Sequence, residues 1–297
     1  MVSNAGSSAD EVAALCQGTP YRAVRFLGRG GMGQVWVVRH DFLGCEFALK
    51  ILHSHLGNEP RVVDRLRLEA QITATLDHPN IVPVVDFWLT AEGRPCLVMD
   101  LLSGKTLARE LFERQRLPVG EVLQIGCQTL SAVAAAHRHG VLHRDIKPEN
   151  IFLHELAGQA RKARLLDFGV ARVFREIEGR PIAELVERTR TGARVGSPRY
   201  MSPEARHGGE LDERADVYSV GVTLYEAITG NGPFDRTSSS NPPVPPSALT
   251  PGVPFELDDI ITQAVAADRD CRIQTAGEFE SRLRNLVPVR PHRVSVR

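Results

Sequence analysis

The octet His143-Arg144-Asp145-Ile146-Lys147-Pro148-Glu149-Asn150 constrains this chain more than any other stretch. It is followed, 17 residues after Asn150, by Asp167-Phe168-Gly169. The octet sets a carboxylate, a lysine and a carboxamide at fixed offsets, and the later triplet adds a second carboxylate beside a flexible glycine. Taken singly, each residue has an ordinary explanation: a turn aspartate, a surface lysine, a capping asparagine. Four of them at these offsets and in this order need another. They are the parts that phosphoryl transfer uses: a carboxylate to orient a hydroxyl, a cation for the moving phosphate, and two groups to hold a divalent metal.

Upstream, Gly28-Arg29-Gly30-Gly31-Met32-Gly33-Gln34-Val35 reads G-x-G-x-x-G-x-V, and Phe47-Ala48-Leu49-Lys50 follows it. A glycine run of this kind also marks dinucleotide-binding folds, where it leads from a strand into a helix. Here residues 34–40 are β-branched and aromatic, so the loop sits between two strands and lets backbone amides approach phosphates. The chain has only four lysines, Lys50, Lys105, Lys147 and Lys162, among 36 basic residues. Random placement would put two of them at these motif positions with odds of about 2 in 10,000. Lysine suits a phosphate as a compact point charge, whereas Lys105 and Lys162 read as surface residues.

On these motifs the chain resembles the protein kinases, and Lys147 within the octet points to the serine/threonine branch. The likeness is greatest to bacterial Hanks-type (eukaryotic-like) serine/threonine kinases and covers roughly residues 21–286. It implies an α+β, two-lobed fold, with a five-stranded antiparallel sheet and one helix in the N-lobe and a mainly helical C-lobe. It implies a kinase domain over 20–287, divided into an N-lobe (20–102) and a C-lobe (103–287), with an activation segment over 167–204. Residues 1–19, small and polar, are expected to be disordered, and 288–297 form a basic tail.

The residue pattern agrees with that outline. Residues 21–28, 34–40, 45–52, 81–87 and 96–101 read as strands. Residues 61–76 read as a helix with Leu66, Glu69 and Thr73 on one face. Helices are also expected over 121–139, stopped by Gly140, and over 212–229, stopped by Gly230. Thr275 and Glu278 have capping-box spacing ahead of a last helix. Ser103-Gly104 is the expected crossing between lobes, and 151–153 with 164–166 a hairpin turning near Gly158.

The resemblance also assigns roles. Asp145 orients the acceptor hydroxyl, Lys147 meets the transferring phosphoryl, and Lys50, paired with Glu69, holds the α- and β-phosphates of ATP. Asn150 and Asp167 hold Mg2+, or alternatively Mn2+. Leu27, Gly28, Arg29, Gly30, Gly31, Met32, Gly33, Gln34 and Val35 cover the nucleotide, with Ala48 above adenine and Phe152 below it. Met99, Asp100 and Leu102 form the gatekeeper and hinge, where the Asp100 carbonyl and Leu102 amide would bond adenine. Glu204 is expected to pair with Arg272, and Asp216 to brace the octet's backbone. His143 is read as a packed structural residue. Arg144 before Asp145 implies control by activation-segment phosphorylation, placed at Thr189 and Thr191 and reached through a transient dimer. Ser197 is expected to contact Lys147 and Asp145.

Two departures stand out. Residues 237–246, rich in serine and proline, replace a short docking helix that they cannot sustain, and Asp268-Arg269-Asp270-Cys271-Arg272 lacks the family's proline. Balanced charge, 36 acidic against 36 basic residues, argues against a general nucleic-acid binder. Five unpaired cysteines and the lack of an 18-residue apolar run or signal sequence read as a cytoplasmic chain with no membrane span. Protein substrates with serine or threonine acceptors are the implied partners. A pseudokinase scaffold and a dinucleotide-binding oxidoreductase remain as rival readings.

Overall fold

The computed structural model describes residues 9–30, 33–53, 63, 67, 70, 71, 73–156, 158, 160–167, 198–234 and 242–287. Five strands build the N-lobe sheet: β1 (Tyr21–Gly30), β2 (Gly33–His40), β3 (Glu46–Leu52), β4 (Val84–Leu89) and β5 (Pro95–Asp100). All neighbours run antiparallel in the order β1-β2-β3-β5-β4. The strand expected from Ile81 begins only at Val84. Pro83 has no N–H to give a ladder, and Ile81 instead makes an isolated parallel bridge to Leu165.

Period-two alternation sorts the sheet into two faces. Trp36, Val38, Leu49, Ile51, Cys96 and Val98 pack together on one. The register pairs Val35 with Lys50, Ala48 with Met99, and Lys50 with Leu97, which puts those side chains on the other face.

The first face is covered by a helix, α1 (Ala9–Leu15), in the segment expected to be disordered. That expectation is corrected for residues 9–19. Val12, Leu15 and Cys16 recur at helical spacing and are buried in the sheet's cluster. The Trp88 indole N–H also donates to Leu15 O at 3.3 Å. Burial of an aliphatic side chain contributes about 1.5–3 kcal/mol, enough for two or three such residues to fix a short helix. Small polar neighbours mask that stripe in the sequence. Among the described residues Val63, Arg67, Ala70, Gln71 and 73–75 are helical, labelled α2 here, while Leu66 and Glu69 lie outside them.

The C-lobe is built on α4 (Val119–His137), packed against α6 (Glu213–Thr229), α9 (Ala276–Arg284) and the small sheet. α3 (Leu107–Arg114) precedes α4 in the chain, the one-turn α5 (Pro203–Arg206) lies between α4 and α6, and α7 (Pro246–Leu249) and α8 (Phe255–Ala264) lie between α6 and α9. By length and hydropathy α4 alone among the described residues would suit a membrane span, but its apolar side chains are buried in the lobe's core. α6 starts at Asp212, whose carboxylate accepts from Arg214 N, and stops at Gly230, which takes the left-handed φ of 78° that its position needs. Thr275 caps α9 by accepting from Glu278 N, while the Glu278 carboxylate accepts from Gln274 N rather than closing the box on Thr275.

The expected hairpin exists as β7 (Ile151–His154) and β8 (Lys162–Leu165), but a third strand, β6 (Gly104–Thr106), pairs with β7. The chain therefore passes between lobes over residues 101–103. Residues 242–245 lack regular structure, Tyr225 OH donates to Val244 O at 2.9 Å, and one helical turn follows from Pro246. The rest of the stretch expected to lack its docking helix lies outside the described residues, as do Thr189, Thr191 and Ser197.

Candidate active site

The octet is held by one buried carboxylate. Asp216, fully buried on α6, accepts from His143 N (2.8 Å), Arg144 N (2.8 Å) and His137 Nε2 (2.8 Å). Burial alone would raise its pKa. The His137 hydrogen bond and the nearby His143 and Arg144 groups outweigh that and hold it below the usual carboxylate range. This grip accounts for the left-handed φ of 67° at Arg144. A non-glycine residue there costs on the order of 1–3 kcal/mol and persists only where the surroundings over-determine it.

His143 is fully buried and works with both ring nitrogens. Nδ1 accepts from Asp145 N at 3.3 Å, which leaves Nε2–H to donate to Leu166 O at 2.8 Å. Leu166 N in turn donates to Asn150 O at 2.8 Å. The residue before Asp167 is thus clamped from two sides by the octet, and Asp167 itself adopts a left-handed φ of 59°.

The reactive side chains converge within this frame. Lys147 Nζ donates to Asp145 Oδ2 at 2.7 Å, and Asn150 Nδ2 donates to Asp145 O at 2.7 Å and Oδ2 at 3.0 Å. From the sheet above, Lys50 Nζ reaches Asp167 Oδ1 at 2.7 Å, with both side chains largely buried. The Lys50 contact within the described residues is thus Asp167, and the expected partner Glu69 lies outside them.

Of the remaining expected residues, several lie on the sheet face that carries Lys50, while Gln34, bonded to Trp36, lies on the face covered by α1. Val35, Ala48, Lys50 and Met99 share the sheet face opposite α1. Gly28, Arg29 and Gly30 pair with Val35, Gln34 and Gly33 across the turn, while Gly31 and Met32 lie outside the described residues. Gly33 has φ 155°, and a Cβ there would sit 2.0 Å from Ile51 O. Gln34 accepts from the Trp36 indole at 3.2 Å, and Leu27 is exposed on β1. Asp100 closes β5, where its side chain meets Arg164 at 3.3 Å. The Leu102 amide has no hydrogen-bond partner among the described residues. Phe152 lies on β7, paired with Thr106 and Arg164.

A divalent cation fits the donor set. Asn150 commits Nδ2 to Asp145, which leaves Oδ1 as its acceptor, and Asp167 adds a carboxylate. Both are the hard oxygen ligands that Mg2+ takes.

Residues 21–244 match the protein kinase domain family. The chain belongs to the protein kinase family. Over 272 residues it is 37% identical to the serine/threonine-protein kinase Pkn1 of Myxococcus xanthus, covering 89% of this chain and 38% of that protein. With PknB of Mycobacterium leprae it shares 34% identity over 274 residues, 89% of this chain and 42% of that one. The chain therefore spans about two-fifths of the length of these curated relatives. The crystal structure of the Mycobacterium tuberculosis PknI kinase domain aligns with a TM-score of 0.71 at 29% identity, covering 90% of this chain and 96% of that domain.

Several working residues of this kinase domain escaped sequence reasoning. His137 meets Asp216 across 79 positions, and Asn80 Nδ2 donates to Ala163 O at 2.8 Å, tying the segment after α2 to β8. Neither carries a local signal. Lys105, read as a surface residue, bridges Glu110 (2.8 Å) and Glu113 (2.7 Å) on α3. Glu204 and Arg272 pair as expected, at 2.8 and 3.2 Å.

Proposed function

We propose that this chain transfers the γ-phosphoryl group of ATP to serine or threonine hydroxyls of protein acceptors. The observation that carries the reading is the convergence of Asp145, Lys147 and Asn150 with the Lys50–Asp167 pair through the clamp on Leu166. In the transfer the acceptor oxygen bonds to the γ-phosphorus as the bond to the β,γ-bridging oxygen breaks. ADP leaves and the hydroxyl proton passes to Asp145. Lys147, 2.7 Å from that carboxylate, is placed to meet charge on the moving group. Lys50 supplies a cation for the α- and β-phosphates. Asn150 and Asp167 are the residues that would hold Mg2+ or Mn2+, which when bound neutralises charge on the phosphates. Positioning and electrostatics carry the rate, with little covalent work for the protein.

The rival dinucleotide reading needs a glycine loop that opens a helix, and here the loop joins two antiparallel strands. A pseudokinase would have lost Lys50, Asp145 or Asp167. Incubation with γ-labelled ATP, magnesium and a generic protein acceptor tests the proposal. Label on phosphoserine or phosphothreonine is the expected result, and nucleotide binding with no transfer would leave the scaffold reading instead.

Finer features belong to the same proposal. The kinase unit is taken as 20–287, facing a reducing cytoplasm, a setting consistent with five free cysteines. Thr191, with Thr189, is modified in trans through a transient dimer. Peptide mapping of ATP-treated protein that leaves both threonines bare rejects that part alone.

A further inference from the structure

We propose that this kinase disfavours acceptor segments with a basic residue flanking the phosphorylated hydroxyl, because Arg199 already occupies the acidic side chain that would receive one, Glu226. The inference rests on the transfer reading above and deepens it.

A cavity of about 730 Å3 opens beside the octet, walled by Phe112, Arg116, Glu149, Arg199, Tyr200 and Glu226 among others. Its size is that of a site holding several side chains. Pro148 and Glu149 in its wall follow Asp145 by three and four positions. A polypeptide that delivers a hydroxyl to Asp145 therefore passes its rim, and its neighbouring side chains fall into this space.

Both oxygens of Glu226 are engaged. Oε1 accepts from Arg199 Nη1 at 2.9 Å and Oε2 accepts from Tyr200 OH at 2.5 Å. Burial, and then the Glu226 carboxylate, push the Tyr200 phenol up, so it stays a donor. The second acid, Glu149, is exposed and makes no ion pair among the described residues, and neither does Arg116. Arg114 in the same wall turns to Glu110 (2.7 Å) and Glu121 (3.0 Å). With Arg114 paired elsewhere, Arg116 and Arg199 stand beside Glu149 and Glu226 in the cavity, and Arg199 holds the less exposed of the two acids. An incoming arginine would have to displace a guanidinium that is tethered to the chain and loses no translational freedom by binding. It would also enter beside like charge, which works against the wrong partner.

The test is a set of paired peptides differing only by Arg or Gln at each position flanking one serine, with kcat/KM compared within each pair. For the wild type the Arg/Gln ratio is expected at or below one throughout. In Arg199→Ala, and in Arg199→Gln should the first variant unfold, the ratio at one flanking position is expected to rise about tenfold, equivalent to about 1.4 kcal/mol. The double variant Arg199→Ala/Glu226→Gln should return it toward one. A wild type that prefers arginine tenfold overturns the proposal, as does a folded Arg199 variant with an unchanged ratio. Absence of transfer to every peptide would instead overturn the kinase reading itself.

Discussion

Replacing Arg272 with alanine breaks a buried ion pair within the C-lobe. The side chain is fully buried, and its guanidinium forks onto Glu204 at 2.8 and 3.2 Å. It also donates to Arg214 O (2.8 Å) and Ala266 O (3.1 Å) and lies 5.1 Å from the Tyr218 ring centroid. The variant strands the Glu204 carboxylate, which is only 15% exposed. Breaking a buried pair in this way costs about 3–5 kcal/mol. For a domain of this size that is a fall in melting temperature of roughly 6–20 °C. The assay is urea and thermal unfolding of wild type, Arg272→Ala, Glu204→Ala and the double variant. The double variant should cost less than the sum of the singles by about 1–3 kcal/mol. Burial raises the Glu204 pKa, but the Arg272 hydrogen bonds outweigh it and the carboxyl stays below its ordinary value. A group depressed in the folded state stabilises above its unfolded pKa and loses that contribution as pH falls through the folded one. The penalty of Arg272→Ala should therefore shrink in acid. A penalty below about 1 kcal/mol at neutral pH would refute the reasoning, since it falls outside the range for a stranded buried charge.

Two further predictions use other parts of the molecule. Lys50→Met leaves the largely buried Asp167 carboxylate without its partner and should lower the melting temperature while the protein stays folded. It should also lower kcat at least about 10²–10³-fold, the loss typical of one preorganised electrostatic group; near-normal turnover would remove Lys50 from the mechanism. Glu110 is raised by burial but held down to about 2 by hydrogen bonds from Arg114, Lys105 and Arg161, so stability should drain away as pH falls from 4.5 toward 2, and Glu110→Gln should flatten that part of the pH–stability curve.

The sequence is most informative where chemistry forces residue type at fixed spacing. The octet, Asp167, Lys50 and the glycine turn are local strings, and Asp216 and Arg272 sit in short motifs of their own. Helix stops were equally readable, because Gly230 must adopt a positive φ that other residues resist. What stayed hidden depends on contacts made at a distance. The segment that forms α1 is small and polar in sequence, and only the outer sheet face gives Val12 and Leu15 somewhere to go. β6 is three residues whose pairing with β7 exists only after the chain has crossed between lobes and returned. The Arg199–Glu226 pair spans 27 positions and joins two residues with nothing distinctive around either. Charge partners of this kind are fixed by the fold rather than by spacing.

The central claim is that Asp145 aims the acceptor hydroxyl at a phosphoryl group held by Lys50, Asn150 and Asp167. Single-turnover transfer by wild type and Asp145→Asn, compared at matched saturation with magnesium–ATP, tests it most directly. The account predicts that the variant binds nucleotide with similar affinity and transfers about 10²–10⁴-fold more slowly, the usual contribution of a positioned proton acceptor. Equal transfer rates in the two proteins would contradict it.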